Sequence, residues 1–229
     1  IERGRGNLRK AENIMGNSFT LMVATGVLFT VFGLLFKRPL LYLFGASDQT
    51  FPFADAYITI YLLGSVFVMI GLGMNSFINS QGFGRIGMYT VLLGAVANIV
   101  LDPLFIFVFG MGVRGAALAT IISQFLSAFW VLKFLTGKKT ILKLKLPAMR
   151  LNGELVRSIT ALGLSGFTMS ITNSLVQILC NATLQSYGGD LYVGVMTVVN
   201  SVREIIQMPV QGITHGSQPV LGFNYGAGE

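Results

Sequence analysis

Charged side chains are scarce in this sequence, which excludes an ordinary soluble domain. Asp, Glu, Lys and Arg together make up 11% of the 229 residues, whereas soluble domains contain about 25% of them. Hydrophobic residues make up 53% of the chain, and the mean hydropathy is +0.70. The composition therefore predicts a membrane protein that crosses the bilayer several times.

Cysteine and histidine each occur once, and this excludes two further kinds of site. Cys180 has no cysteine partner in the sequence, so no disulfide framework is predicted. His215 has no Cys or acidic residue at ligand spacing, so we predict no metal site and no cofactor. Glu204 and His215 also lack a nearby nucleophile, so the chain is not predicted to be an enzyme.

Long apolar stretches dominate what is present. Each of them reaches or exceeds the ~20 residues that a helix needs to cross the hydrocarbon core. They cover residues 14–36, 54–80, 87–109, 115–136, 157–186 and 191–213. The predicted fold is therefore an all-α, polytopic membrane bundle of about six transmembrane helices.

Basic residues are concentrated outside these stretches, at the start of the chain and in its longest connection. The two groups are Arg3, Arg5, Arg9 and Lys10, and then Lys138, Lys139, Lys143, Lys145 and Arg150. The positive-inside rule predicts that both ends of this chain and the basic connection are cytoplasmic, in a plasma (inner) membrane. The net charge of +7 is explained by this topology, so no nucleic-acid partner is expected. Residues 137–156 then link a bundle of four spans, residues 1–136, to two spans in residues 157–229.

A carboxylate and a proline interrupt the third span, in Asn98-Ile-Val-Leu-Asp102-Pro103. A charged carboxylate near the bilayer centre costs at least ~2.5 kcal/mol on insertion scales. Asn98 and Asp102 share one helix face, and Pro103 leaves the carbonyl of Ile99 without its usual donor. Thr120 of the fourth span is expected to reach Asp102. We predict an ion or proton site, and the alternative is that Asp102 only packs helices through Ser and Thr.

Polar side chains also recur every three or four residues in the last two spans. They are Asn173, Gln177 and Asn181 in the fifth span, and Asn200, Arg203, Glu204 and Gln207 in the sixth. Such stripes on apolar helices indicate a face that lines water or a substrate cavity. Hydrogen bonding between helices is the alternative explanation.

These segments resemble the multidrug and toxic compound extrusion (MATE) family of cation-coupled antiporters, essentially from end to end. Besides the Asn98 motif, the resemblance is carried by Gly115-Ala-Ala-Leu-Ala-Thr120 and Gly216-Ser-Gln-Pro219-Val-Leu-Gly-Phe-Asn-Tyr-Gly-Ala227. It implies twelve helices in two lobes around a central cavity, of which this chain is similar to helices three to eight. Residues 1–136 would then belong to the N-lobe, residues 137–156 to the linker, and residues 157–229 to the start of the C-lobe.

The resemblance, which is to DinF-like and MepA-like bacterial members, also implies an activity. It implies export of organic, often cationic, amphipathic compounds in exchange for H⁺ or Na⁺. Asn98, Asp102 and Thr120 match a coupling cluster whose further Asp lies on a family helix outside this region. The implied partners are membrane lipids, amphipathic cations and the remaining helices of a longer protein. A lipid-linked oligosaccharide flippase and a non-transporting assembly subunit stay open as alternatives.

Overall fold

Helices form every regular element that the structure describes, which confirms the all-α prediction. The computed structural model describes residues 1–44, 46, 48 and 50–229, except the side chains of residues 185, 190 and 193. The elements are α1 (Leu8–Leu43), α2 (Phe51–Leu63), α3 (Ser65–Ser80), α4 (Gly84–Pro103), α5 (Gly112–Leu135) and α6 (Gly153–Ala227). A π-helical turn, Leu104–Val108, follows α4, and a 3₁₀ turn, Leu146–Met149, precedes α6.

The last helix reverses direction within its 75 residues. A straight helix of that length would extend about 110 Å, yet Leu155 near its start and Phe223 near its end line the same cavity. The reversal coincides with Gly189, whose backbone has φ 59° and ψ −159°. We therefore treat α6 as two antiparallel limbs, residues 153–188 and residues 190–227.

Candidate membrane spans correspond to most of the predicted apolar stretches. Within the described residues, Leu8–Leu43, Gly84–Val108, Gly112–Leu135 and Gly153–Leu184 are long and apolar enough to cross a membrane. The bent pair α2 and α3 is a fifth if it counts as one span. The sixth predicted stretch, residues 191–213, is helical, but it is not among the candidate spans found within the described residues.

The predicted second span is not continuous, because the chain bends by 54° between α2 and α3. Gly64 lies at the bend, where an added Cβ would lie 2.5 Å from Cγ1 of Ile121 on α5. A larger residue would therefore push α5 away. Thr30 Oγ1 of α1 donates to the Leu62 carbonyl at 2.8 Å, which joins α1 to the last turn of α2.

The predicted linker is docked against the ends of α1, α3 and α5. Its residues Leu142 and Leu144 are buried in the same apolar cluster as Met15 and Leu135. Gln81 Oε1 accepts hydrogen bonds from Thr140 Oγ1 at 2.8 Å and from the Ile141 and Leu142 amides at 2.9 and 2.8 Å. This segment is therefore a fixed part of the α1–α5 bundle.

The linker ends four residues earlier than predicted, because α6 begins at Gly153. The side chain of Asn152 accepts from the amides of Glu154 at 2.9 Å and Leu155 at 3.4 Å, which is the pattern of a helix N-cap. Asn17 of α1 holds this start in place. Its Nδ2 donates to the carbonyls of Ala148 at 3.2 Å and Arg150 at 3.1 Å, and its Oδ1 accepts from the Asn152 amide at 2.8 Å.

Candidate functional site

Small residues bring α4 and α5 into direct contact and fix how they are aligned. An added Cβ on Gly115 would lie 2.8 Å from the carbonyl oxygen of Phe105, and one on Gly94 would overlap Ser127 Oγ. Ser127 Oγ also donates to the Thr90 carbonyl at 3.1 Å. These contacts define an antiparallel hairpin whose backbones approach closely, as small residues permit in membrane helices.

Asn98 and Asp102 lie within this hairpin and carry uncommitted polar atoms. Among the described residues, Asn98 Nδ2 and Asp102 Oδ1 are buried and have no hydrogen-bond partner. A buried polar group without a partner costs roughly 1–3 kcal/mol, and more if it is charged. The two residues are four apart on one helix face, so the site combines an uncommitted donor with an uncommitted carboxylate oxygen.

The backbone changes its hydrogen-bond pattern directly after this pair. Pro103 has no N–H to offer the carbonyl of Ile99, and the Leu104 amide donates to the Leu101 carbonyl, three residues earlier. The π-helical turn Leu104–Val108 follows at once. Short π-helical segments are frequent at functional sites, and here one adjoins the buried carboxylate.

Thr120, predicted to reach Asp102, has its hydroxyl committed elsewhere. Its Oγ1 donates to the Ala116 carbonyl of its own helix at 2.9 Å, and no bond to Asp102 is present among the described contacts. Ser123, one turn further along α5, is 2% exposed. Its Oγ is buried without a partner. The available hydroxyl of α5 in this region is therefore that of Ser123, which the sequence prediction left out of the site.

A second carboxylate on an apolar helix, Asp55 of α2, is neutralised within the chain. Lys37 Nζ lies 2.7 Å from Asp55 Oδ1 and also donates to Thr59 Oγ1 at 3.0 Å. The helix α1 continues beyond the predicted end of the first span, residue 36, and this places Lys37 beside α2. Asp102 has no such cation in the part of the chain that the structure describes, so the two carboxylates differ in the charge available to them.

Asn75 of α3 is a further residue with an orphaned polar atom, but it lies away from this pair. Its Nδ2 donates to the Gly87 carbonyl at 3.3 Å, while its Oδ1 is buried without a partner. Gly87 is about 16 Å from Asn98 along α4. We therefore keep Asn75 out of the candidate site.

The predicted substrate stripes are on α6, and most of their residues are exposed. Asn173, Gln177, Arg203, Glu204 and Gln207 are exposed, while Asn181 and Asn200 are half-buried. No ion pair joins Arg203 or Glu204 to another described residue. The structure therefore does not gather these seven residues into a cavity, and their role stays a prediction.

One cavity of about 800 Å³ lies between the start of the chain, the ends of α1 and α3, and both limbs of α6. His215 lies in its wall, inside the second limb of α6. None of the predicted substrate residues lines it. Groups of three or more His, Cys, Asp and Glu side chains that could hold a metal are absent from the described residues.

Fold and site together define a class, the helical multi-pass membrane proteins with an uncommitted carboxylate inside the bundle. Within that class, the chain belongs to the MatE family, whose model matches residues 2–104 and 166–229. This confirms the family that the motifs predicted. Asn98 and Asp102 lie in the first matched segment, whereas Thr120 lies between the two.

Relatives and solved structures agree with that assignment. The multidrug export protein MepA of Staphylococcus saprophyticus is 29% identical over 202 residues, covering 87% of this chain and 43% of its own length. The MATE multidrug transporter DinF-BH, solved in complex with R6G, is 37% identical with a TM-score of 0.89, covering 98% of this chain and 50% of its own.

A MOP superfamily transporter from Pyrococcus furiosus, for which a reverse-polarity binding pocket suggests a different function, is 26% identical with a TM-score of 0.90. It covers 99% of this chain and 50% of its own length. The chain thus spans about half the length of the relatives it matches.

Proposed function

We propose that this chain is the coupling part of a secondary active antiporter that exports organic, often cationic, amphipathic compounds in exchange for H⁺ or Na⁺. The observation that carries the proposal is the pair of buried, unpartnered atoms Asn98 Nδ2 and Asp102 Oδ1. Membership of the MatE family supports export as the activity. DinF-BH was solved with R6G, which supports amphipathic cations as the substrate class.

Neutralisation of Asp102 is the proposed coupling step. A carboxylate surrounded by apolar helices must bind a proton or a cation to lose its charge. Binding would change the hydrogen bonds available to Asn98 and to the Ser123 hydroxyl. Because the π-helical turn Leu104–Val108 adjoins the pair, that change can bias the end of α4 between two conformations.

Substrate would bind along the exposed stripes of α6, in the longer protein that contains this chain. Asn173, Gln177 and Asn181 would face Asn200, Arg203, Glu204 and Gln207 across the two limbs and a further set of helices. Thr120 would support the site from α5 rather than bond Asp102 directly.

The test is gradient-driven efflux of R6G from proteoliposomes that contain the longer transporter. We expect Asp102→Asn to abolish efflux driven by a proton or sodium gradient, because the neutral amide cannot bind either ion as the carboxylate does. Asp48→Asn is the matched control, since Asp48 is exposed and accepts only from Tyr42 at 2.9 Å among the described contacts. Normal efflux by Asp102→Asn would contradict the proposal.

Separate gradients identify the coupling ion, and lipid controls separate the alternatives. Efflux driven by a pH gradient in sodium-free buffer would identify H⁺ as the coupling ion, and efflux at equal pH with a sodium gradient would identify Na⁺.

Gradient-independent transfer of lipid-linked oligosaccharide, with no R6G efflux, would favour the flippase instead. A stable hetero-oligomer without either activity would favour an assembly subunit.

We also propose that both ends of the chain and the basic linker lie in the cytoplasm, in the plasma (inner) membrane. The contact of Gly226 with the Ile1 carbonyl supports a common side for both ends, and the positive-inside rule supports which side it is. A cysteine at exposed Lys139 should react with an impermeant maleimide only in inverted vesicles. Reaction in right-side-out vesicles would reverse the topology.

A further inference from the structure

Residues 1–7 form a tight turn that is bound to the first turn of α1. Within it, the Arg5 amide donates to the Ile1 carbonyl at 3.1 Å and the Asn7 amide donates to the Glu2 carbonyl at 3.0 Å. Glu2 Oε1 accepts from Arg5 Nη1 and from Lys10 Nζ, both at 3.1 Å. The turn, which we call the N-terminal turn, is therefore bonded to the start of α1.

Arg3 of the N-terminal turn contacts the bundle and α6 at the same time. Its Nη1 donates to the carbonyl of Ser80, the last residue of α3, at 2.8 Å. Its guanidinium carbon lies 5.2 Å from the centroid of the Phe223 ring on the second limb of α6. Both contacts suit a cation, because helix C-termini carry partial negative charge and ring faces attract guanidinium groups.

Backbone contacts reinforce the same junction. A Cβ added to Gly4 would overlap the Phe223 carbonyl, and one added to Gly226 would overlap the Ile1 carbonyl. The N-terminal turn and the end of α6 therefore pack backbone against backbone. Only residues without a side chain fit at these two points.

The junction forms part of the wall of the cavity of about 800 Å³ between the bundle and α6. Glu2, Arg3 and Arg5 line that cavity together with Ser158 of the first limb and His215 of the second. Separation of α6 from α3 would open this part of the wall, and it would break the contact between Arg3 and Phe223. The Ser80 bond would remain, because Arg3 and α3 belong to the same bundle.

We propose that the N-terminal turn is the gate on the predicted cytoplasmic side of the cavity, with Arg3 as the positioning residue that holds it against Phe223. The proposal rests on the proposed transport function, because a gate has a role only if the cavity opens in turn to each side. It adds a specific closing contact to that function. Arg5 of the turn and Lys10 of α1 keep its shape through their bonds to Glu2.

The test measures access to the cavity rather than transport. In the longer transporter without native cysteines, Cys180 included, Ala11→Cys reports access by its rate of reaction with an impermeant maleimide in inverted vesicles, because Ala11 lines the cavity and is buried. We expect Arg3→Ala to raise this rate roughly tenfold, because both contacts are lost. Phe223→Leu should raise it roughly two- to fivefold, because only the ring contact is lost, and Arg3→Lys should fall between wild type and Arg3→Ala.

Arg9→Ala is the matched control, because Arg9 is exposed on the first turn of α1 and does not line the cavity. Its rate should equal that of the wild type. An unchanged or lower rate in Arg3→Ala would overturn the gate. If Arg3→Ala fails to fold, Phe223→Leu alone decides between the two results.

This result is separable from the proposed transport function. Maleimide access does not need a gradient, so Asp102→Asn should leave the difference between Arg3→Ala and its parent intact. Loss of efflux in Asp102→Asn with unchanged access in Arg3→Ala would retain the antiporter and remove the gate. Faster access in Arg3→Ala together with normal efflux in Asp102→Asn would remove the coupling site and retain the gate.

Discussion

The α1–α5 bundle and α6 are both built of apolar helices with scattered polar residues, but these polar residues differ in burial. In the bundle, Asn17 is 1% exposed and Gln81 is 2% exposed, and each bonds several linker groups. None of the described residues of α6 is buried, and most of its polar stripe is exposed. Polar residues in these apolar helices therefore differ in role. In the bundle they form hydrogen bonds to other segments of the chain, whereas on α6 most of them remain exposed.

Asn17→Leu should show the largest effect, because it breaks the fastening of the linker. The change removes the bonds to the Ala148, Arg150 and Asn152 backbone and leaves those groups unpaired. We expect the free energy of unfolding to fall by about 2–4 kcal/mol. Thermal unfolding of the purified chain in detergent measures the change.

Asn173→Leu is the matched control on α6. Asn173 is exposed, so we expect a change within about 0.5 kcal/mol. In the longer transporter, the same change should instead alter the KM for R6G. Equal destabilisation by the two substitutions would contradict the comparison.

Gly16→Ala should have the next largest effect. An added Cβ at Gly16 would overlap the Ala148 carbonyl, so the linker would have to shift away from α1. Overpacking of this kind costs typically about 1–3 kcal/mol. A drop in the unfolding midpoint of the purified chain would verify it, and an unchanged midpoint would show that the linker is loosely held.

Gly163→Ala on α6 should have a smaller effect of opposite sign. No atom lies within 4 Å of a Cβ added at Gly163, so only helix propensity changes. We expect stabilisation by roughly 0.5–1 kcal/mol. The same thermal measurement tests it, and destabilisation of this chain would mean that the first limb is packed more closely than the structure shows.

A change of pH between about 6 and 8 should have the smallest effect of all, because it should leave the stability of the N-terminal turn unchanged. The hydrogen bond from Lys10 is the largest influence on the pKa of Glu2, and it lowers that pKa. Burial raises the pKa, whereas the charges of Lys10 and Arg5 lower it further. The pKa of Glu2 therefore lies below its ordinary value of 4.5. A lowered pKa in the folded state means that the stabilisation is present above pH 4.5 and lost as the pH falls through the lower value.

The rate of maleimide reaction at Ala11→Cys is the readout for this prediction. It should be constant across that pH range once the intrinsic pH dependence of the thiol is subtracted. A change in the corrected reaction rate between about pH 6 and 8 would mean that a group other than Glu2 controls the conformation of the turn.

The sequence singles out Asn98 and Asp102 of α4 because a carboxylate and a proline contrast with an apolar span, and their coupling role stays a prediction. The residues of α5 that lie beside this pair could not be predicted, because they depend on how α4 and α5 are aligned. Thr120 lies at a suitable spacing but bonds Ala116, while Ser123 keeps a free hydroxyl. The spacing of polar residues along one helix does not show which of them faces the next helix.

The sequence also did not predict the bend between α2 and α3 or the packing of the linker against the bundle. Hydropathy runs unbroken through Gly64, and the bend there depends on contact with Ile121 of a distant helix. Basic composition placed residues 137–156 outside the membrane, yet their attachment depends on single acceptors such as Gln81 Oε1. These are tertiary contacts, which a local pattern does not contain.

Comparison of uphill transport with exchange tests the central claim most directly. Proteoliposomes with the Asp102→Asn transporter would be assayed for R6G efflux against its gradient, and for exchange of labelled R6G at equal concentrations without any ion gradient. The account predicts that uphill efflux is lost while exchange continues, because substrate binding and the conformational change survive without the coupling ion. Uphill efflux at the wild-type rate would contradict the assignment of Asp102 as the coupling residue.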